Sequence, residues 1–122
     1  MAIKWIKNVE NSGIATLTNN YLMTSKIFSD KFKDCYMAVV GLDEVNNIVL
    51  KPISLDENES LKYDDMLKIK VSIQKSYMRF GNTKAISHIK SLLDLNIPSE
   101  GIKGTTSWDN NENYLVVMLK GE

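Results

Sequence analysis

The sequence has little of several residue types that mark particular protein classes. Its 122 residues include one cysteine, Cys35, so no intrachain disulfide can form. One histidine, His88, leaves no cluster with the Cys/His spacing of a zinc site. Lysine and arginine total 15, as do aspartate and glutamate, so no net charge draws the chain onto nucleic acid or an anionic membrane. No metal or cofactor is expected.

Long apolar runs are also absent. None approaches the roughly twenty residues that span a bilayer, and residues 1–10 lack the basic-then-apolar order of a secretion signal. We therefore expect a cytoplasmic location and no membrane partner. With 43% apolar residues, the chain can still bury the core of one ordinary domain, residues 1–122.

The first half of the chain predicts a strand, a helix and a hairpin. "GIATL" (13–17) has strand composition, and "KIFSDKF" (26–32) places its apolar residues on one helical face behind a hydroxyl cap. "CYMAVVGL" and "IVLKPI" flank the turn "DEVNN", which predicts a hairpin over 35–53. The acidic, aperiodic stretch "SLDENES" (54–60) predicts a linker.

The second half predicts the same order again. "LKIKVSIQ" (67–74) alternates apolar and polar residues as a half-buried strand does. "NTKAISHIKSLLDL" (82–95) has helical spacing behind an Asn or Thr cap. "GIKGTTSW" (101–108) and "YLVVML" (114–119) flank "DNNEN" as a second hairpin.

The two halves align as copies. Residues 43–50, "DEVNNIVL", match residues 109–116, "DNNENYLV", at an offset of 109 minus 43, or 66. Tyr21 matches Tyr77 at an offset of 77 minus 21, or 56. The alternative is that two hairpins look alike because Asn and Asp are favoured in turns everywhere.

The duplication predicts one shared core, because a copy of some fifty residues buries little surface alone. Repeat one spans about residues 10–53, the linker about 54–62 and repeat two about 63–120. The expected fold class is α+β and mostly β, with two strand-helix-hairpin repeats that close a pseudo-two-fold barrel.

Two stretches carry a resemblance to a known superfamily. "KSYMRFGNTKAI" (75–86) and "YMAVVGLD" (36–43) resemble the strand-to-helix junction and the hairpin strand of the AbrB and MraZ transcription regulators. The resemblance implies a swapped-hairpin barrel, a homo-oligomer, and a regulator that binds double-stranded DNA. On this alignment Arg79 occupies the family's arginine and Lys84 its post-proline lysine.

The chain departs from the family pattern at three positions. The family's proline is Thr83 here, its acidic residue is Lys75, and the first copy has Asn20 where an arginine is expected. The fold can thus be retained while the DNA-reading chemistry is weakened or lost.

The DNA-binding candidates are Arg79, Lys84, Lys75 and Lys26. Arg79 is the only arginine among the 15 basic residues, and its planar fork suits guanine or phosphate. Lys75 and Lys84 would contact phosphates beside it, and Lys26 is the pseudo-symmetric counterpart of Lys84. The alternatives are a structural ion pair for Arg79 and solvated lysines.

Aromatic residues have two interpretations. Trp5, Trp108, Tyr21 and Tyr77 lie near lysines and could stack on unpaired bases. Packing in the core or sheet is the default interpretation.

No catalytic constellation emerges, and no enzyme is expected. His88 has no oriented partner at a telling spacing and is expected on a helix surface. Cys35 is expected to fill apolar space.

Two hypotheses from different classes remain. One is a DNA-binding transcriptional regulator. The other is a non-catalytic protein-interaction or oligomerisation module that does not bind DNA.

Overall fold

The computed structural model describes Ile3 and residues 12–120. The predictions for the secretion signal, for Trp5 and for the start of repeat one near residue 10 lie outside the described residues. The strands in the described part are β1 Ser12–Leu17, β2 Leu22–Ser25, β3 Met37–Leu42, β4 Ile48–Ile53, β5 Lys68–Ile69, β6 Val71–Ile73, β7 Tyr77–Phe80, β8 Ile102–Asp109 and β9 Tyr114–Leu119. The helices there are α1 Leu55–Glu59, α2 Thr83–Leu93 and the 3₁₀ helices Lys26–Lys31 and Leu61–Tyr63.

The strands form one antiparallel sheet that curls into a nearly closed barrel. Their order is β5-β3-β4-β9-β8-β1-β2-β7-β6. The two end strands follow each other in the chain: β5 pairs with β3, β6 pairs with β7, and only Lys70 separates them. One continuous segment therefore joins both ends of the sheet and leaves little free edge. The predicted mostly β fold is confirmed.

Alternating apolar residues fill the barrel interior. On β4 and β9, Ile48, Leu50, Leu115 and Val117 have no exposed surface. Other fully or almost fully buried strand residues include Leu17, Leu22, Met78 and Phe80. These interior residues come from β1, β2, β4, β7 and β9, so the core draws on both halves of the chain.

The longer helix, α2, packs one face into the main core. The side chain of Asn82 caps it by accepting a hydrogen bond from the Ala85 N–H at 2.9 Å, as predicted. Its buried face consists of Ala85, Ile86 and Ile89. None of the described helices is both long enough and apolar enough to cross a membrane.

The predicted first helix is only a 3₁₀ helix, Lys26–Lys31, interrupted at Phe28 (φ −108°, ψ 19°). Ser25 precedes it but does not cap it, because the Ser25 hydroxyl accepts a hydrogen bond from the Ile14 N–H at 3.3 Å. Phe32 then enters the barrel. Its ring meets those of Phe80 and Trp108 edge-on, with centroids 5.2 and 6.0 Å away.

The predicted linker contains a helix, α1. Ser54 and Glu57 form a capping box, in which the Glu57 N–H donates to Ser54 Oγ at 3.1 Å and the Ser54 N–H to Glu57 Oε1 at 2.9 Å. Tyr63, 4% exposed, then packs in a second buried cluster with Val39 and Ile53. The segment "SLDENES" has no apolar period, but its S-x-x-E spacing is the signature of this capping box.

One predicted strand differs from the structure, and two observed strands were not predicted. The strand over 67–74 is divided at Lys70, and its apolar face leaves the core, so that Ile69 is 2% exposed and Ile73 is 37% exposed. β2 and β7 were not predicted, because four-residue strands give little periodicity. Both strands are nevertheless central to the candidate site.

Both hairpin turns begin with an aspartate. Asp43 Oδ1 accepts hydrogen bonds from the Asn47 N–H at 2.8 Å and the Val45 N–H at 3.0 Å. In the second turn, Asp109 Oδ1 accepts from backbone N–H groups at 2.9 and 3.0 Å. Asn46 and Asn113 adopt left-handed φ values of 65° and 60°, which asparagine tolerates better than most residues. Turn chemistry therefore explains the Asp and Asn content of both loops.

We expect the Asp43 turn to weaken in acid. The Asn47 backbone N–H, followed by the Asn47 side chain and the Val45 N–H, lowers the pKa of the Asp43 carboxyl. A folded pKa below the unfolded value gives stability that is present above the unfolded pKa and is lost as pH falls through the folded pKa. Thermal unfolding between about pH 6 and pH 3 should show a smaller loss of Tm in Asp43→Asn than in the wild type. An equal loss would contradict this role.

Gly104 marks a close approach of β8 to β9. A Cβ at this position would lie 2.5 Å from the Met118 carbonyl oxygen and 3.0 Å from the Leu119 Cα, both backbone atoms. We expect Gly104→Ala to lower the free energy of unfolding by about 2 kcal/mol or more. Gly41→Ala on β3 is the control, since a Cβ there meets nothing within 4 Å. Equal urea midpoints for the two variants would refute this.

Candidate nucleic-acid interface

Charge is segregated along the chain although the total is zero. Residues 12–29 and 66–93 contain seven basic residues and no aspartate or glutamate. We call these residues the cationic sector; its basic members are Lys26, Lys68, Lys70, Lys75, Arg79, Lys84 and Lys90. The rest of the chain has 15 minus 7, or 8, basic residues against 15 acidic ones. A neutral chain thus contains a part with a formal charge of +7 and a part with −7.

The fold makes the cationic sector continuous. It supplies β1, β2, β7 and β6, which are successive neighbours in the sheet, together with β5 and α2. Clustered positive charge without carboxylates produces a local potential that a net charge of zero conceals. Nearby acidic residues lie at the ends of these segments: Asp30, Asp64, Asp65 and Asp94.

The predicted lysines lie at the two ends of the β2–β7 strand pair. Ser25 lies opposite Tyr77 in that pair. Lys26 follows β2 directly and Lys75 lies two residues before β7, so the backbone places both at the same end. Lys84, in the first turn of α2, lies beyond the opposite end of β7. All three lysines are exposed.

Arg79 lies between these ends, within β7. Its neighbours across the sheet are Met23 on β2 and Ser72 on β6. The flanking Met78 and Phe80 are fully buried, so the alternation of the strand directs Arg79 to the outer face. The four predicted residues therefore follow the β2–β7 pair, with Lys26 and Lys75 at one end, Arg79 within it and Lys84 beyond the other end.

Tyr21 supports the Arg79 side chain. The guanidinium carbon lies 5.5 Å from the centroid of the Tyr21 ring, a cation–π contact. Thr18 fixes the turn that presents Tyr21: the Thr18 N–H donates to the Tyr21 carbonyl at 3.0 Å, and the Tyr21 N–H donates to Thr18 Oγ1 at 3.2 Å. In the described part of the chain Arg79 has this aromatic contact and no ion pair, so the structural ion pair considered above is not observed there.

A second basic surface follows the exposed side of α2. An open cleft of about 910 Å³ lies between this helix and β5. Lys68, Lys84 and His88 are among its lining residues. His88 is exposed on the helix surface, as predicted.

Comparison of this chain with protein-family models, with curated protein sequences and with solved structures found no match. The candidate site must therefore be judged on its own geometry.

Acidic residues of both hairpin turns lie near Tyr114, which is outside the cationic sector. Partial desolvation, and then the carboxylates of Asp109, Glu112 and Asp43, raise the pKa of Tyr114. Tyr114 belongs to β9, which the sheet order separates from β2 and β7 by β8 and β1. Negative charge is thus concentrated around a different part of the barrel.

Cys35 lies beside the core rather than in a reactive site. Burial, the largest cause, raises the pKa of its thiol, and the nearby Asp34 acts in the same direction. A thiol that remains protonated is a poor nucleophile. Among the described residues there is no group of three His, Cys, Asp or Glu side chains that could hold a metal ion.

The neighbours of Arg79 were not predictable from local sequence pattern. Tyr21 was considered as a repeat position and as a stacking or packing aromatic, and neither it nor Met23 nor Ser72 was linked to Arg79. One signal was available, because the absence of Asp and Glu from residues 66–93 is visible in the sequence. Trp108 packs edge-on against Phe32, which confirms the packing interpretation for that aromatic.

Proposed function

We propose that the protein is a DNA-binding transcriptional regulator and that the cationic sector contacts double-stranded DNA. The observation that carries this proposal is the concentration of seven basic residues, without one carboxylate, in the two chain segments that supply β1, β2, β5, β6, β7 and α2. Such a surface neutralises phosphates and releases their counterions, which supplies most of the non-specific affinity for DNA. A cytoplasmic location is part of the proposal and fits a chain with one partly buried thiol.

The residues of the sector divide by chemistry. Lys26, Lys75 and Lys84 are exposed point charges suited to phosphate oxygens. Arg79, held by Tyr21, offers a planar fork that can contact a phosphate or the O6 and N7 atoms of guanine in two places at once.

We further propose that the barrel is a pseudo-two-fold duplication of the swapped-hairpin kind. At the offset of 56, Met23 corresponds to Arg79, and these two residues are paired with each other across β2 and β7. Leu22 then corresponds to Met78, and both side chains are buried. A two-fold axis through the Met23–Arg79 pair would produce this pattern.

The β4–β9 pair gives independent support at a corrected offset. Matching buried residues equates Ile48 with Leu115, an offset of 115 minus 48, or 67, rather than 66. Val49 then corresponds to Val116, and these two residues are also paired with each other. The offset of 66 would equate the buried Ile48 with the half-buried Tyr114 and reverse the inward face of the strand.

The two proposed self-pairs support the AbrB/MraZ-like interpretation of the fold. They lie in β2–β7 and β4–β9, which are separated by two strands on one side of the sheet order, β8 and β1. The departures at Lys75 and Thr83 concern the junction chemistry, and neither position is buried. A barrel that keeps the family's fold and contacts DNA through lysines and Arg79 is consistent with the self-pairs and with the departures at the junction.

An interaction module is the second candidate, favoured by a separate observation. Ile14 on β1 is 70% exposed and Met118 on β9 is 40% exposed. Both pair with Thr105 on β8, so they lie in one row on the outer face of the sheet. Exposed apolar side chains in a row can contact another protein or a second copy of the chain.

Substitution of Arg79 tests the proposed function. In a mobility-shift assay with duplex DNA at low salt, we expect Arg79→Ala to weaken binding about tenfold or more. Arg79→Lys should recover only part of the loss, since it keeps the charge but not the fork. Lys62→Ala, in the acidic segment before β5, is the control and should bind like the wild type. Duplex binding that is absent in the wild type, or equal in all four proteins, would overturn the proposal.

A further inference from the structure

A small recess opens on the outer face between β1, β2 and β7. Its volume is about 180 Å³, and Ile14, Met23, Ser25, Ser76 and Tyr77 are among its lining residues. Pockets for drug-sized ligands measure roughly 300–1,000 Å³. The recess is therefore of a size for one planar ring with the rest of the ligand outside it.

The wall of the recess combines apolar and hydroxyl groups. Ile14 leaves 70% of its surface exposed at the rim, and Tyr77 is half-buried. The Ser25 hydroxyl accepts a hydrogen bond from the Ile14 N–H at 3.3 Å, which leaves its own proton available to a ligand oxygen or nitrogen. An aromatic face, aliphatic edges and a hydroxyl donor suit a heterocyclic ring.

Basic residues border the recess at two places. Lys26 follows Ser25 and Lys75 precedes Ser76, and both lysines are exposed. Arg79 is the next outward residue after Tyr77, about 7 Å further along β7. No acidic residue occurs in the chain segments that form the recess. The charge favours a ligand that has a ring attached to an anionic backbone.

We propose that this recess receives one unpaired base of a single-stranded nucleic acid, stacked on Tyr77 beside Met23 and Ile14. Lys26 and Lys75 then neutralise the phosphate on one side of the base, and Arg79 the phosphate on the other. Stacking on an aromatic side chain tolerates any base, because every base has a π-face. A base inside a duplex cannot occupy the recess without leaving its stack.

This inference rests on the proposed nucleic-acid function of the cationic sector, but it needs unpaired bases where that function needs duplex DNA. An apolar peptide would use the same side chains without the bordering lysines. The bordering Lys26, Lys75 and Arg79, which suit phosphates, favour a nucleic acid over a peptide as the ligand of the recess.

Fluorescence anisotropy with labelled oligomers of about ten nucleotides tests the proposal. The ligands are a single-stranded DNA, the RNA of the same sequence, the same DNA with abasic sites, and the duplex. We expect the wild type to bind the single strand about tenfold more tightly than the abasic strand. Tyr77→Phe should keep this ratio, and Tyr77→Leu should bring it close to one.

The outcomes separate this inference from the proposed function. Equal binding of intact and abasic strands by the wild type overturns the inference, whatever the duplex does, and needs no variant that must fold. Base-dependent binding of the single strand, lost in Tyr77→Leu, supports it even if duplex is not bound, in which case only the proposed function fails. Absence of binding to every oligomer overturns both. The RNA and DNA arms identify which strand the recess prefers.

Discussion

Replacing Phe32 with alanine is expected to lower the free energy of unfolding by about 3–5 kcal/mol. Phe32 is 2% exposed and directs its ring against those of Phe80 and Trp108, at 5.2 and 6.0 Å. Those contacts join the chain after the first 3₁₀ helix to β7 and β8. Removing the ring leaves a cavity that rigid neighbouring strands cannot fill.

Tyr36→Ala is the matched control for Phe32→Ala. Tyr36 is an aromatic residue four positions later, and it is 50% exposed. Its loss should cost about 1 kcal/mol or less. Urea unfolding followed by far-ultraviolet circular dichroism measures both. If the two variants unfolded at the same urea concentration, the role given to Phe32 in the core would be wrong.

The second large effect concerns DNA. Replacing Lys26, Lys75, Arg79 and Lys84 together with alanine should weaken duplex binding at low salt on the order of a hundredfold or more. The same substitutions should also reduce the slope of log K against log salt by about 4, since each phosphate contact adds close to one. All four residues are exposed or half-buried, so the fold should be retained.

A control variant with the same total charge distinguishes the effect of where the charges lie from the effect of how many are removed. Alanine at four lysines outside the cationic sector, Lys33, Lys51, Lys62 and Lys120, also removes four positive charges. That variant should lose far less affinity than the first, because its charges lie elsewhere on the barrel. Comparable losses in the two variants would mean that net charge, and not the cationic sector, governs binding.

Local sequence pattern was sufficient for the longer elements. α2 was predicted from its helical period and its Asn82 cap, and β9 from an unbroken apolar run of six residues after a turn. β2 and β7 have four residues each and gave no such signal. Their pairing joins Met23 to Arg79 across half of the chain, and no local pattern specifies a contact of that separation.

The candidate site, like the fold, was only partly predictable from the sequence. Arg79 was singled out because it is the only arginine, and this property is visible in the sequence. Its contact with Tyr21 depends on the turn before β2 lying beside β7 from the other half of the chain, which only the folded barrel reveals. The segregation of charge was readable from the sequence but was masked by a total of zero.

A neutral total is therefore a weak argument about partners for this chain. What a charged ligand meets is the local potential, which depends on where the fold places each group. Here the sheet order puts β1, β2, β7 and β6 side by side, and neither these strands nor the turns that join β1 to β2 and β6 to β7 contain a carboxylate. The acid-rich part, including residues 54–65 with five acidic residues and one lysine, belongs to other elements.

The most direct test of the proposed function is a salt titration of the wild-type protein on duplex DNA. Binding measured by anisotropy between roughly 50 and 200 mM salt should give a linear plot of log K against log salt. Contacts from Lys26, Lys75, Arg79 and Lys84 to four phosphates predict a slope near −4. Absence of binding at the lowest salt, or a slope near zero, would contradict a cationic sector that works by neutralising DNA phosphates.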